Sequence, residues 1–124
     1  ISDEGEIFSF NKREGEKLQK KDGEIQGHEF ELIDLRECDV LLLDVCGKLD
    51  IRHLNHCTVF VGACKDLVSV YDCADCMFTM CCRGLQIERT KQCSFNSYNC
   101  EHTVVGNSQE LVFAPFNGVY EGHR

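Results

Sequence analysis

The chain has 124 residues, 43% of them hydrophobic, enough for one globular domain with a buried core. Its 21 acidic against 13 basic residues leave a net charge of −8, a balance that repels nucleic-acid phosphates and anionic membranes. No apolar run approaches the ~20 residues of a membrane-spanning helix; with no basic-then-apolar leader ahead of Ile1, we read the chain as a piece of a longer protein.

In chain order, residues 1–24 are polar and of mixed charge. Asp3, Glu4 and Glu6 precede Lys12, Arg13, Lys17, Lys20 and Lys21, with Glu14, Glu16, Asp22 and Glu24 interspersed. We expect residues 1–12 to be a polar linker or extended segment, and the stretch up to residue 24 to be an extended cap over the first ordered unit. From Phe30 onward a repeat appears. Phe30/Leu32, Leu49/Ile51, Val68/Val70 and Leu85/Ile87 form one apolar series. Val40/Leu42, Val59/Val61 and Phe78/Met80, continued by Phe95 and Val112, form a second. A unit of about 18 residues that recurs about five times governs the whole reading. Within each unit the apolar residues alternate, as in Leu49-Asp-Ile51, and that is strand periodicity. Two or three short strands per unit with no room for a helix describe one coil of a parallel β-helix.

The ten cysteines keep the same step. Cys38, Cys57, Cys76 and Cys93 make one column, and Cys46, Cys64, Cys82 and Cys100 another. Stacked at strand spacing of ~4.8 Å, the members of a column cannot all be bridged at once, so reduced thiols in a packed core are expected. Cys73-Ala-Asp-Cys76 also has the form of half a zinc site, but a second pair at suitable spacing is missing, and no metal is expected. His56 and Cys57 are adjacent and face opposite ways on a strand. Of Cys81-Cys82, one is a column member and the other faces outward or occupies a corner.

With the repeats in register, the chain resembles the tubulin-binding cofactor C domain family, shared with the retinitis pigmentosa 2-type protein and related to the C-terminal domain of cyclase-associated proteins. The matching stretches are Gly27-His-Glu-Phe30 with Leu32 to Cys38, Leu49-Asp-Ile51 through Cys57-Thr-Val-Phe-Val-Gly62, Ser69-Val-Tyr-Asp-Cys-Ala-Asp-Cys76, and Phe113-Ala-Pro-Phe-Asn117. The resemblance covers nearly all of a domain over residues 13–120, with 121–124 as a tail. It implies an all-β fold, a single-stranded right-handed parallel β-helix of about five coils. It also implies contact with a GTP-binding protein, either tubulin or an Arf-like small GTPase, in a cytoplasmic, cytoskeletal or basal-body and cilium-base setting. No cofactor is implied.

Family members that activate a GTPase use an arginine finger in a motif of the form Ala-Cys-Gln-Gln-Leu/Phe-Arg. Laid on residues 81–86, the motif matches Cys82 and Leu85. Arg83 and Gly84 replace its glutamines, and Gln86 stands where the arginine belongs. A glutamine carries no charge to place against a phosphoryl transition state. Gly106 falls near the family's acidic partner of that arginine. The resemblance therefore implies a binding domain without catalysis, with Arg83, Gln86, Glu88, Phe116 and Asn117 as partner-binding candidates.

Two other readings stand beside it. One is an active GTPase activator that uses Arg83, re-aimed by a glycine backbone at Gly84; Arg89 is read as a solvated outer-face charge. The other is a structural module for scaffolding or self-association. The basic residues among 12–21 offer a contact for an acidic partner such as the tubulin tail, diluted by the neighbouring acids. Residues 10–28 and 113–120 are expected to cover the two ends of the β-helix, with Phe113 in the core and Phe116, Asn117 and Tyr120 either capping or in contact with a partner. Titration of the denatured, non-reduced protein should find most of the ten thiols reactive. Recovery of only one or two would restore the disulfide scaffold.

Overall fold

A computed structural model describes residues 8–21, 23–98 and 101–115. They form twelve strands: β1 (Ser9–Glu14), β2 (Lys17–Lys20), β3 (Phe30–Arg36), β4 (Asp39–Cys46), β5 (Leu49–Asn55), β6 (Thr58–Cys64), β7 (Leu67–Tyr71), β8 (Met77–Cys81), β9 (Gly84–Glu88), β10 (Ser94–Tyr98), β11 (His102–Gly106) and β12 (Val112–Pro115). The odd strands build one parallel sheet in the order β1-β3-β5-β7-β9-β11, and the even strands build a second in the order β2 to β12. No helix occurs among the described residues. The chain is a parallel β-helix.

Register reproduces the repeat. Phe30, Leu49, Val68 and Leu85 pair in succession across sheet 1, and Val40, Val59, Phe78 and Phe95 across sheet 2. All of them are buried, so like stacks on like through the interior. The sheet 2 series continues to Phe113 rather than Val112, because Phe95 pairs with Phe113. Phe113 stacks on Phe95 at 5.4 Å between ring centroids. It is nevertheless 46% exposed, which corrects the expectation of a buried core residue: nothing described covers the last member of its column. Residues 116–120 lie outside the described residues.

At the other end, residues 9–20 are a complete coil and not a linker or a loose cap. β1 pairs with β3 and β2 with β4, placing Phe10 and Leu18 in the core ahead of the five coils read from the repeat. Each of these strands has a single apolar residue among polar and charged ones (Ser-Phe-Asn-Lys-Arg-Glu and Lys-Leu-Gln-Lys), and that hid them. The outward charges also blunt the free edge against further strand pairing. Phe10 pairs with Leu32, a longer step than elsewhere, because residues 23–29 bulge out ahead of β3. The bulge plugs Ile25 fully into the core. It also lies so close to Gly47 that a Cβ there would run into the Gly27 carbonyl.

Each coil turns two tight corners around a short third side. Lys12, Asp34, His53, Asp72, Arg89 and Asn107 form the first column of corner residues, and Gly15, Glu37, His56, Asp75, Gln92 and Glu110 the second; all have positive φ. The third side is held by the bridges Asn55↔Ala74, Ala74↔Lys91 and Lys91↔Gln109. Immediately after seven of these twelve corners an inward thiol or hydroxyl donates to the carbonyl two residues back. Cys38, Cys57, Cys76 and Cys93 bond the carbonyls of Arg36, Asn55, Ala74 and Lys91 at 3.2–3.3 Å. Cys73, Thr90 and Ser108 do the same for Tyr71, Glu88 and Gly106. This is why cysteine recurs here: it is small, it is apolar enough for the core, and its S–H occupies a corner carbonyl. None of the nine described cysteines is disulfide-bonded. Burial pushes the Cys46 and Cys73 thiols up to about 12, so these stay protonated and unreactive at neutral pH.

The bulge is tied down by Asp44, whose buried carboxylate accepts from the backbone N–H of Gln26 at 2.6 Å and of Ile25 at 2.7 Å. Those bonds hold its carboxyl well below the usual carboxylate range. A lowered folded-state pKa means stability that is complete above the ordinary aspartate value of about 4 and lost as pH falls below it. Asp44→Asn should therefore lower the urea midpoint at pH 7, with the gap to wild type closing as pH is lowered toward 3. A gap unchanged with pH would show that the carboxylate's charge contributes nothing.

Candidate functional site

Gln86 lies in the middle of β9, and strand alternation fixes its direction. Leu85 and Ile87 point inward and are buried, so Gln86 and Glu88 point out from sheet 1. Gln86 is flanked in register by Ser69 on β7 and Val104 on β11, and Glu88 by Tyr71 and Gly106. Gln86 and Glu88 thus stand two residues apart on one outer face.

Arg83 stands at the corner where the chain enters β9. Its N–H bonds the Asp66 carbonyl at 3.2 Å, and its guanidinium is 3.7 Å from Glu101. Gly84 does not re-aim it. That glycine keeps ordinary strand geometry, pairing with Leu67 and His102, and is small because a Cβ would meet Leu67 Cδ1 at 3.2 Å. The glycine serves packing, and the expected backbone hinge is absent. Phe116 and Asn117, the remaining candidates, lie outside the described residues.

Gly106 has a structural counterpart. A Cβ built on it would lie 3.5 Å from the Glu88 carboxyl carbon, with both carboxylate oxygens within 3.7 Å. The bare glycine leaves room for the Glu88 side chain, which brings a carboxylate to the place where a side chain at 106 would project. That carboxylate belongs to the neighbouring strand, two residues along the chain from Gln86.

Beside this pair runs a charged and aromatic strip that sequence reasoning did not single out. Arg52 pairs in register with Tyr71, and its guanidinium lies 5.2 Å from the Tyr71 ring centroid. Arg89 approaches the same ring at 5.8 Å. The repeat contained the signal, since Arg52, Tyr71 and Glu88 occupy equivalent positions of three coils. Arg89 itself is not simply solvated: Nε donates to Asp72 Oδ1 at 2.8 Å and a terminal nitrogen to Oδ2 at 3.2 Å. His53 stands on the far side of Asp72, 4.0 Å away. The Arg89 hydrogen bonds, with the nearby positive charges, hold the Asp72 carboxyl below its ordinary value. A shallow cleft of about 420 Å³ opens along the third side past Asp72 and Arg89 toward Lys91 and Gln109.

The fold and the face define the class: a parallel β-helix whose first sheet presents a polar strip around Gln86 and Glu88. The family model described as "Tubulin binding cofactor C" matches residues 27–124, and the chain belongs to that family. Among relatives, the tubulin-specific chaperone C of Bos taurus is 24% identical over 94% of this chain and 34% of its own length. The same-named protein of Mus musculus is 26% identical over 91% and 33%, and that of Homo sapiens 25% over 92% and 33%. The chain spans about a third of the length of the curated relatives it matches.

A double-mutant cycle tests the strip. Arg89→Ala and Asp72→Ala together should reveal a small favourable coupling in low salt that fades in 1 M salt, because the pair is bidentate but solvent-accessible. A coupling that persists in high salt would mean the pair is shielded from solvent.

Proposed function

We propose that the outer face of sheet 1, centred on Gln86, binds a GTP-binding partner and holds it without accelerating hydrolysis. Tubulin is the partner that the chaperone C relatives point to, and an Arf-like small GTPase is the alternative from the wider family resemblance. Such a role belongs in the cytoplasm, on the cytoskeleton or at the ciliary base. The observation that carries the non-catalytic reading is the outward glutamine at 86. It can hydrogen-bond a phosphate or an orienting water but adds no positive charge where a finger adds 10³–10⁵ in rate. The arginines close to this strip are otherwise engaged: Arg52 lies over Tyr71 and Arg89 is tied to Asp72.

Glu88 changes what restoring the finger should do. With a carboxylate already lying over Gly106, an arginine at 86 would have an anchor on its own strand face. Single-turnover GTP hydrolysis should be measured with tubulin and with Arf-like GTPases, using wild type, Gln86→Arg, Gln86→Arg/Glu88→Gln and Arg83→Ala. Wild type should bind the GTP-loaded partner and leave its hydrolysis rate unchanged. Gln86→Arg should raise the rate by an order of magnitude or more, and adding Glu88→Gln should remove most of the gain. Strong wild-type stimulation abolished by Arg83→Ala would overturn the reading. Equal capture of the GTP-loaded and GDP-loaded partner would favour a scaffold.

A further inference from the structure

The outer face of sheet 2 differs in kind from the rest of the surface. Strand register stacks Asp39, Thr58, Met77 and Ser94 in one outward column, and Leu41, Phe60, Thr79 and Asn96 in the next. From β4 to β10 these two columns carry one charge, Asp39, in a chain that is 27% charged. The outer face of sheet 1, by contrast, carries Glu31, Asp50, Arg52 and Glu88. Leu41 is 40% exposed, Leu43 44% and Met77 54%. Leu41, Thr58 and Phe60, with Lys17 and Gln19 at the rim, line a depression of about 340 Å³. Charge depletion with methionine and an aromatic at the centre and charge at the rim is the composition of a protein interface.

Dimensions select the occupant. Four strands at about 4.8 Å by five residues at about 3.3 Å make a plate of roughly 300 Å². A stable dimer buries about 800 Å² on each partner, so a second copy would find too little apolar surface here. A single α-helix, about 10 Å across, fits the plate. Its pitch of about 5.4 Å nearly matches the rung spacing of about 4.8 Å, so a helix laid along the β-helix axis would put successive turns over successive coils. Its apolar residues at i, i+3/i+4 and i+7 would then run between the Met77 and Phe60 columns.

We propose that the outer face of sheet 2 docks one amphipathic α-helix of a partner protein, laid along the β-helix axis, with its apolar stripe over Leu41, Phe60 and Met77. This face is separate from the one around Gln86, so both can be occupied at once. The test uses the whole chain and two 18-residue synthetic peptides of identical composition: one with a leucine stripe at helical spacing and uncharged flanks, the other with the same leucines scattered. Amide chemical-shift perturbation and fluorescence anisotropy follow binding. The striped peptide should shift amides of β4, β6 and β8 and leave β7 and β9 in place. The scattered peptide should bind at least tenfold more weakly. Leu41→Lys and Met77→Lys, both outward substitutions, should weaken the striped peptide at least tenfold while leaving thermal melting and GTPase binding as in wild type. Shifts confined to sheet 1, or equal binding of the two peptides, would overturn the proposal. So would a sedimenting dimer that Met77→Lys dissociates, which would make the occupant a second copy. Contacts between residues 116–124 and Leu41 or Met77 in the free protein would make it the chain's own tail.

Discussion

The structure depends on the geometry of the corners. A β-helix with two sheets and a short third side must reverse direction within a few residues, and here it does so with two left-handed residues in every described coil. For non-glycine residues that conformation costs of order 1–3 kcal/mol each unless the surroundings offset it. Aspartate, asparagine and histidine, which tolerate it best, fill half of the twelve corner positions. At Glu37, Arg89 and Gln92 the interior side of the bend helps instead, where a thiol or hydroxyl takes the carbonyl two residues back. Corner and column are one device.

From that device follows the placement of everything chemical. Because each coil returns the chain to the same register, residues about 18 apart become neighbours at strand spacing, and a difference of one residue decides between core and surface. Leu85 and Ile87 fill the core, while Gln86 and Glu88 are delivered to the outside beside Ser69, Tyr71 and Gly106. The Glu88 carboxylate over Gly106 is a product of this stacking, since a side chain missing from one coil is space for its neighbour. The corner columns bring Asp72 between His53 and Arg89 in the same way. The two outer faces then diverge: sheet 1 displays charge and sheet 2 displays leucine, phenylalanine and methionine.

The sequence by itself determined the fold class. The apolar pairs from Phe30 to Ile87 and the series Cys38, Cys57, Cys76 and Cys93 are in the register that their spacing implied, because inward positions of successive coils must all be apolar. The match of Gln86 to the family's finger position is an expectation that rests on motif and spacing alone. Only the tertiary structure decided the rest. Phe10 and Leu18 were too sparse among charges to announce a further coil, and Ile25 is buried because Asp44, nineteen residues on, holds its backbone. Val112 and Phe113 exchange roles because the last step of the repeat is set by pairing with β10 rather than by hydrophobicity. Gly84 proved to be a packing glycine, and Glu88 an acid lying over Gly106, for one reason: each depends on an atom in an adjacent coil. Alternation along one strand is written in local sequence. Which side chain fills the space above a given rung is settled only when the coils are stacked.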